Sequence, residues 1–153
     1  MLRIGKLTDY ATVVLAILAQ DPSRHRAANE LAERTRLSAP TVSKVLKELQ
    51  RAGMVDSTRG SHGGYRLARS ADEITAAQIL DVFEGPIALT ECAGAISRCG
   101  IEHSCRVGNA WQRVNAAMRL ALEDVTLRQL AGLDHATLRV ADLASDMRAG
   151  LAR

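Results

Sequence analysis

Aromatic side chains are scarce: the 153 residues include one Trp, one Phe and two Tyr. A core cannot then be built around large rings. It must be filled by Leu, Val, Ile and Ala, and with 47% hydrophobic residues there is enough material to fill one. That mixture is rich in good helix formers and favours a mainly α fold. Long hydrophobic runs are also missing. The longest apolar stretch, Ala11 to Ala19, is interrupted by Thr12 and is too short to cross a bilayer. The first six residues run straight into a helical pattern, with no separate apolar segment and cleavage site, so a secretion signal is not expected and a cytoplasmic location is. Catalytic constellations are absent too. There are no paired catalytic carboxylates, no dinucleotide fingerprint and no nucleophile–His arrangement. His25, His62, His103 and His135 are scattered over predicted loops and helix ends, where each reads as a surface residue. An enzyme is the least supported class.

Charge is present but unevenly distributed. The net value is +3, yet residues 1–70 hold twelve Lys/Arg against six Asp/Glu, whereas residues 71–153 hold eight against eleven. A basic half joined to an acidic half suggests that the first meets a polyanion.

The periodicities divide the chain into elements. Tyr10, Val13, Val14, Ile17 and Leu18 form one apolar helical face, with Thr8 as the expected N-cap and Asp9 in the first turn. A short helix around Asn29 to Arg36 buries Leu31 and Ala32. A turn follows at Leu37-Ser38-Ala39-Pro40, where Ser38 suits an N-cap and Pro40 a first helical turn. The next helix, Ala39 to Ala52, has a buried stripe of Val42, Val45, Leu46 and Leu49, and Gly53 stops it. Two β-compatible runs, Met54 to Thr58 and Tyr65 to Leu67, flank Arg59-Gly60-Ser61-His62-Gly63-Gly64, a glycine-rich hairpin. Thr75-x-x-Gln78 is a capping box opening a helix that ends at Gly85-Pro86. Residues 85–106 lack periodicity. A long helix then runs from Val107 to Val125, with Trp111, Val114, Met118, Leu122 and Val125 spaced close to a coiled-coil seam. Thr126-x-x-Gln129 is a second capping box, for a turn holding Leu127 and Leu130. A last helix is expected around Asp134 to Arg148.

Helix, short helix, turn, longer helix and hairpin is the order of a winged helix-turn-helix. Its second helix is apolar on one side and carries hydroxyls and cations on the other, as entry into the major groove requires. Thr41, Ser43 and Lys44 are placed for base edges, Lys47 and Arg51 for phosphates, and Ser38 and Pro40 at the leading end. In the hairpin, Arg59, Gly60, His62 and Arg66 can approach the backbone and put an arginine into a minor groove. The plainer alternatives are a glycine turn with solvated cations and an ordinary exposed helix face.

All three cysteines fall within 14 residues, as Cys92-x6-Cys99-x5-Cys105. This is not the knuckle spacing of zinc fingers. Three thiolates on one loop suit a soft metal or an iron–sulfur cluster, with Glu91, Glu102 and His103 as further donors; redox-active thiols and plain cysteines are the other readings. Trp111 reads as core or dimer packing more readily than as a stacking partner for this loop.

At this point the chain resembles a known family, the IscR-like, or Rrf-type, winged-helix iron–sulfur regulators. The resemblance rests on Leu7-Thr8-Asp9-Tyr10-Ala11, on Arg59-Gly60-x-x-Gly63-Gly64-Tyr65-Arg66-Leu67, on Leu89-Thr90-Glu91-Cys92 with the next two cysteines, and on Trp111 with Val125-Thr126-Leu127. The stretch Gly85 to Cys92 is most similar to the branch that regulates SUF-type cluster assembly. The resemblance implies three regions: a winged DNA-binding domain over residues 1–84, a cluster-binding loop over 85–106, and a dimerisation helix with C-terminal helices over 107–153. It implies Cys92, Cys99 and Cys105 as cluster ligands, 2Fe-2S slightly ahead of 4Fe-4S, in a homodimer on a palindromic operator. IscR itself has a histidine ligand three residues beyond the last cysteine, and here that position is Gly108. A nitric-oxide-sensing relative takes its fourth ligand from an aspartate of the partner subunit, and Asp9 stands at the matching place, with His103 as the alternative. A cluster-free thiol-redox or metabolite-responsive repressor is the rival reading on the same scaffold.

Overall fold

The computed structural model describes residues 3–60, 63–91, 100, 105 and 107–134. The helix expected around 134–148 lies outside them. The elements are α1 (Lys6–Ala19), α2 (Ala28–Thr35), α3 (Ala39–Arg51), β1 (Val55–Thr58), β2 (Gly64–Leu67), α4 (Ala76–Phe83), α5 (Gly108–Asp124) and α6 (Leu127–Leu130). The fold is mainly helical, and β1 and β2 form an antiparallel hairpin with Val55 opposite Leu67 and Thr58 opposite Gly64.

Around α3 the expected chemistry is observed. The Ser38 side chain accepts from the Thr41 N–H, and Pro40 occupies the first turn. Val42, Val45, Leu46 and Leu49 are all fully buried. Gly53 takes a φ of +67°, the left-handed region that lets the chain leave the helix. Both capping boxes form, Thr75 with Gln78 and Thr126 with Gln129.

The start of α1 differs from expectation. Its N-cap is Gly5, and Thr8 lies inside the helix, buried. The cap is supplied from far along the chain: the Gly5 N–H donates to Glu84 Oε1 at 2.9 Å, and the Thr8 hydroxyl donates to the same oxygen. A Cβ on Gly5 would come within 2.5 Å of that oxygen, so a side chain there would push the Glu84 carboxylate out of this position. Of the expected face, Val14, Ile17 and Leu18 are buried and Val13 is exposed, and Ala11 and Leu15 join the core beside them. The reason is that α1 packs against α2, α3, α4, β2 and α6. Most of its circumference is covered, and what remains open is the strip carrying Asp9 and Val13.

One core joins the described elements other than α5, and Leu127 of α6 belongs to it, fully buried. The chain returns to that core through backbone bonds at the end of α5. Ala76 N–H donates to the Val125 carbonyl at 2.8 Å, and Leu127 N–H to the Ile74 carbonyl at 2.7 Å. Of the two leucines in this turn, Leu127 is buried and Leu130 exposed, because α6 is a single turn and presents only one side to the core. No described helix is long and apolar enough to cross a membrane.

Candidate nucleic-acid interface and thiol segment

The outward face of α3 follows from its buried one. With Val42, Val45, Leu46 and Leu49 turned inward, helical geometry leaves Ser43, Lys44, Lys47 and Arg51 outside, and all four are exposed. Ser38 and Pro40 are exposed at the leading end, and Thr41 is half-buried. The Ser38 and Thr41 hydroxyls lie 2.7 Å apart, so both also serve the cap. Arg51 is held by both oxygens of Glu48, at 3.0 and 3.2 Å, which neutralises part of its charge. Among the described residues Lys44 and Lys47 make no ion pair.

The hairpin lies beside this face. Arg59 and Arg66 are exposed, and Gly60 has a φ of +115° with open space around it. His62 lies outside the described residues. The other glycines are spoken for by the fold. A Cβ on Gly63 would meet the Thr58 carbonyl oxygen at 2.1 Å, and one on Gly64 the Arg26 carbonyl oxygen at 2.6 Å. Gln50, at the end of α3, donates to the Ser57 hydroxyl at 2.8 Å and so ties the hairpin to the helix. That link carries no local signature, because its value depends on how two elements meet.

Of the thiols, Cys92 and Cys99 lie outside the described residues, as does the alternative donor His103. Cys105 is a free, half-buried cysteine three residues ahead of α5, with Gly108 packed beneath its Sγ. Asp9 is exposed on the open strip of α1. Among the described residues no three His, Cys, Asp or Glu side chains are gathered as a metal site. Cys105 as a free thiol is a suitable soft-metal donor; it is one of the three that a cluster would need.

The helix that follows is unusual in what it leaves uncovered. Trp111 and Val114 are each 45% exposed and Val107 is 60% exposed, so Trp111 is not part of the core of one copy. The seam is open because α5 touches the rest of the fold along a neighbouring stripe. There Arg119 donates to both oxygens of Asp81 on α4, each at 2.7 Å, and to Glu123 at 2.7 Å. These carboxylates, Asp81 first, raise the Arg119 guanidinium above its ordinary value. Asn115 accepts from the Leu89 N–H at 3.2 Å, which fastens the beginning of the thiol segment to the same helix.

A short helix, a longer helix with a cationic hydroxyl-bearing face, and an adjoining hairpin define a winged helix-turn-helix DNA-binding protein. The chain matches the Rrf2 family model, described as an iron-dependent transcriptional regulator, over residues 4–132. It belongs to that family. It is 37% identical over 123 residues to the protein aau3 of Rhizobium meliloti, covering 79% of this chain and 75% of that one. It is 28% identical over 132 residues to the HTH-type transcriptional regulator NsrR of Shouchella clausii, covering 84% and 88%. Among solved structures, CymR, the global cysteine regulator of B. subtilis, superimposes with a TM-score of 0.69 at 28% identity, covering 88% of this chain and 99% of that one. IscR of T. potens does so with a TM-score of 0.66 at 26% identity, covering 90% and 93%. The family, NsrR and CymR are all described as regulators, not enzymes.

Proposed function

We propose that this regulator senses an iron–sulfur cluster held by Cys92, Cys99 and Cys105 and converts its presence into a change of operator affinity. The observation that carries this reading is the α4–α5 joint. The helix that begins three residues after Cys105 is clamped by Arg119 to Asp81, on the same α4 whose C-cap, Glu84, caps the start of α1. A change in the thiol segment therefore has a mechanical route into the DNA-reading half. Affinity changes only if the two states of that segment favour different poses of the DNA-reading surface.

In this reading Thr41, Ser43 and Lys44 address base edges, with Ser38 and Pro40 at the tip of the helix. Lys47, Arg51, Arg59, Gly60, His62 and Arg66 hold the backbone and minor groove. The exposed seam of α5 pairs two copies, which supports a palindromic operator. The cluster is 2Fe-2S in preference to 4Fe-4S. Asp9, open on α1, is the fourth ligand, supplied to the partner copy, with His103 as the alternative. When bound, the cluster supplies a site that iron loss, oxygen or nitric oxide can dismantle. The regulated genes are those of SUF-type cluster assembly.

The likeness to a cysteine regulator favours a second reading, the same scaffold working without a cluster. Anaerobic native mass spectrometry separates the two. The first reading expects a dimer whose mass includes iron and sulfide, lost in the triple Cys→Ala variant. A colourless dimer without iron, still binding DNA, would establish the second. Replacing Asp9 by Ala is expected to make the cluster easier to lose, and an unchanged visible spectrum and lifetime would remove Asp9 from the ligand set.

A further inference from the structure

The segment between α1 and α2 is strapped to the wing by an isolated antiparallel bridge. Arg26 and Tyr65 exchange both backbone bonds, Arg26 N–H to the Tyr65 carbonyl at 2.9 Å and Tyr65 N–H to the Arg26 carbonyl at 2.8 Å. His25 Nε2 lies 3.1 Å from the Thr58 hydroxyl, one residue before Arg59. The absent side chain of Gly64 is what lets this strap lie so close. Two residues beyond Arg26, α2 begins, and no side chain caps it. In a helix-turn-helix the first helix of the pair crosses the DNA backbone. The strap therefore delivers its side chains to the edge of the backbone, between α2 and the wing.

Its charges are not balanced. Arg26 is only 4% exposed, and its Nη1 pairs with Glu30 at 2.6 Å, while its Nε has no partner among the described residues. A buried guanidinium cannot give up its carboxylate without a large penalty. Arg24 reaches the same Glu30 oxygen at 3.1 Å, but its side chain is more than half exposed. Two guanidiniums share one carboxylate, and only the buried one depends on it. Arg24 is the surplus cation, and an exposed pair of this kind is weakly held.

We propose that Arg24 is a phosphate-gripping residue, a third contact with the DNA backbone separate from α3 and the hairpin tip, preset by the Arg26–Tyr65 bridge and the His25–Thr58 bond. The inference rests on the DNA-binding reading and extends its footprint. The contact is to phosphate, so it adds affinity equally on all sequences.

The test is the salt dependence of binding to a labelled duplex of unrelated sequence, using the full-length protein. Removing one phosphate contact lowers the slope of log affinity against log salt by about 0.9. Arg24→Ala is expected to show that loss, and Arg24→Lys to restore the slope. Arg34→Ala removes an equal charge from the other end of α2, where Arg34 is held by Gln20, and is expected to leave the slope alone. Arg24→Gln keeps the side-chain stem and repeats the measurement should the Ala variant be poorly folded. An unchanged slope in Arg24→Ala and Arg24→Gln, or an equal fall in Arg34→Ala, would overturn the proposal. If the wild type itself shows no salt-sensitive DNA binding, the broader reading fails with it, an outcome distinct from a wild-type slope that Arg24→Ala leaves intact.

Discussion

Two helices of this protein carry the same kind of pattern and meet opposite fates. In α3 the apolar stripe of Val42, Val45, Leu46 and Leu49 is completely buried. In α5 the seam of Trp111 and Val114 stands almost half open, and only Gly108 of that helix is buried. Periodicity says that a helix has a face to cover. It does not say whether the cover comes from the same chain. The polar faces differ as well: among the described residues α3 puts neither lysine into an ion pair, while α5 spends Arg119 on fastening itself to α4.

The comparison breaks most visibly at Leu46. Leu46→Ala empties a fully enclosed site and is expected to cost about 3 kcal/mol, read as a drop in the thermal midpoint. Trp111→Ala combined with Val114→Asp, on the open seam, is expected to change the stability of one copy by no more than about 0.5 kcal/mol. It should instead turn a dimer into a monomer in sedimentation velocity. A dimer that survives this double change pairs through another surface.

A smaller effect separates packing from fastening. Asp81→Asn removes one side of the α4–α5 clamp. For a pair exposed by about a third on each side, a double-mutant cycle with Arg119→Gln is expected to give a coupling of roughly 0.5–1 kcal/mol. The larger consequence lies in function: the clamp variant should bind DNA while responding less to loss of the thiols.

The smallest effect is at Asp72, whose carboxyl is held below the ordinary carboxylate value, first by its hydrogen bond from Arg128 at 2.7 Å. A depressed folded-state value means that the contribution is fully present above the unfolded value of about 3.9. It is lost as pH falls through the folded value. The difference in thermal midpoint between wild type and Asp72→Asn should therefore narrow on acidification through that range and be constant at neutral pH.

What could be read in advance was local. Ser38 as a cap, both Thr–Gln capping boxes and the stripe of α3 depend on residues within one or two turns of one another, and each was legible. The start of α1 was misread because its cap, Glu84, is 79 residues away, and a Thr with a following Asp mimics a local cap. Val13 was misplaced because a helix surrounded by five elements buries more than one stripe. On the candidate DNA surface, the cations of α3 and the hairpin were visible from their pattern. Arg24 was not, since its significance arises from the bridge between Arg26 and Tyr65. The Gly63–Gly64 pair drew notice as a nucleic-acid feature, whereas the contacts a Cβ would meet assign both to closing the hairpin against Thr58 and the strap.

The two ends of α5 are not equivalent. The C-terminal end is stitched to the beginning of α4 by the bonds at Val125 and Leu127, and Leu127 is sunk in the core. The N-terminal end, next to Cys105, carries the most open side chain of the seam, Val107. A 17-residue helix is about 25 Å long, so α5 spans that distance between the first turn of α4 and Cys105. Under the proposed sensing reading, a shift at Cys105 is carried along this stiff rod to its fastenings on α4, which gives a single atomic site leverage over elements far from it.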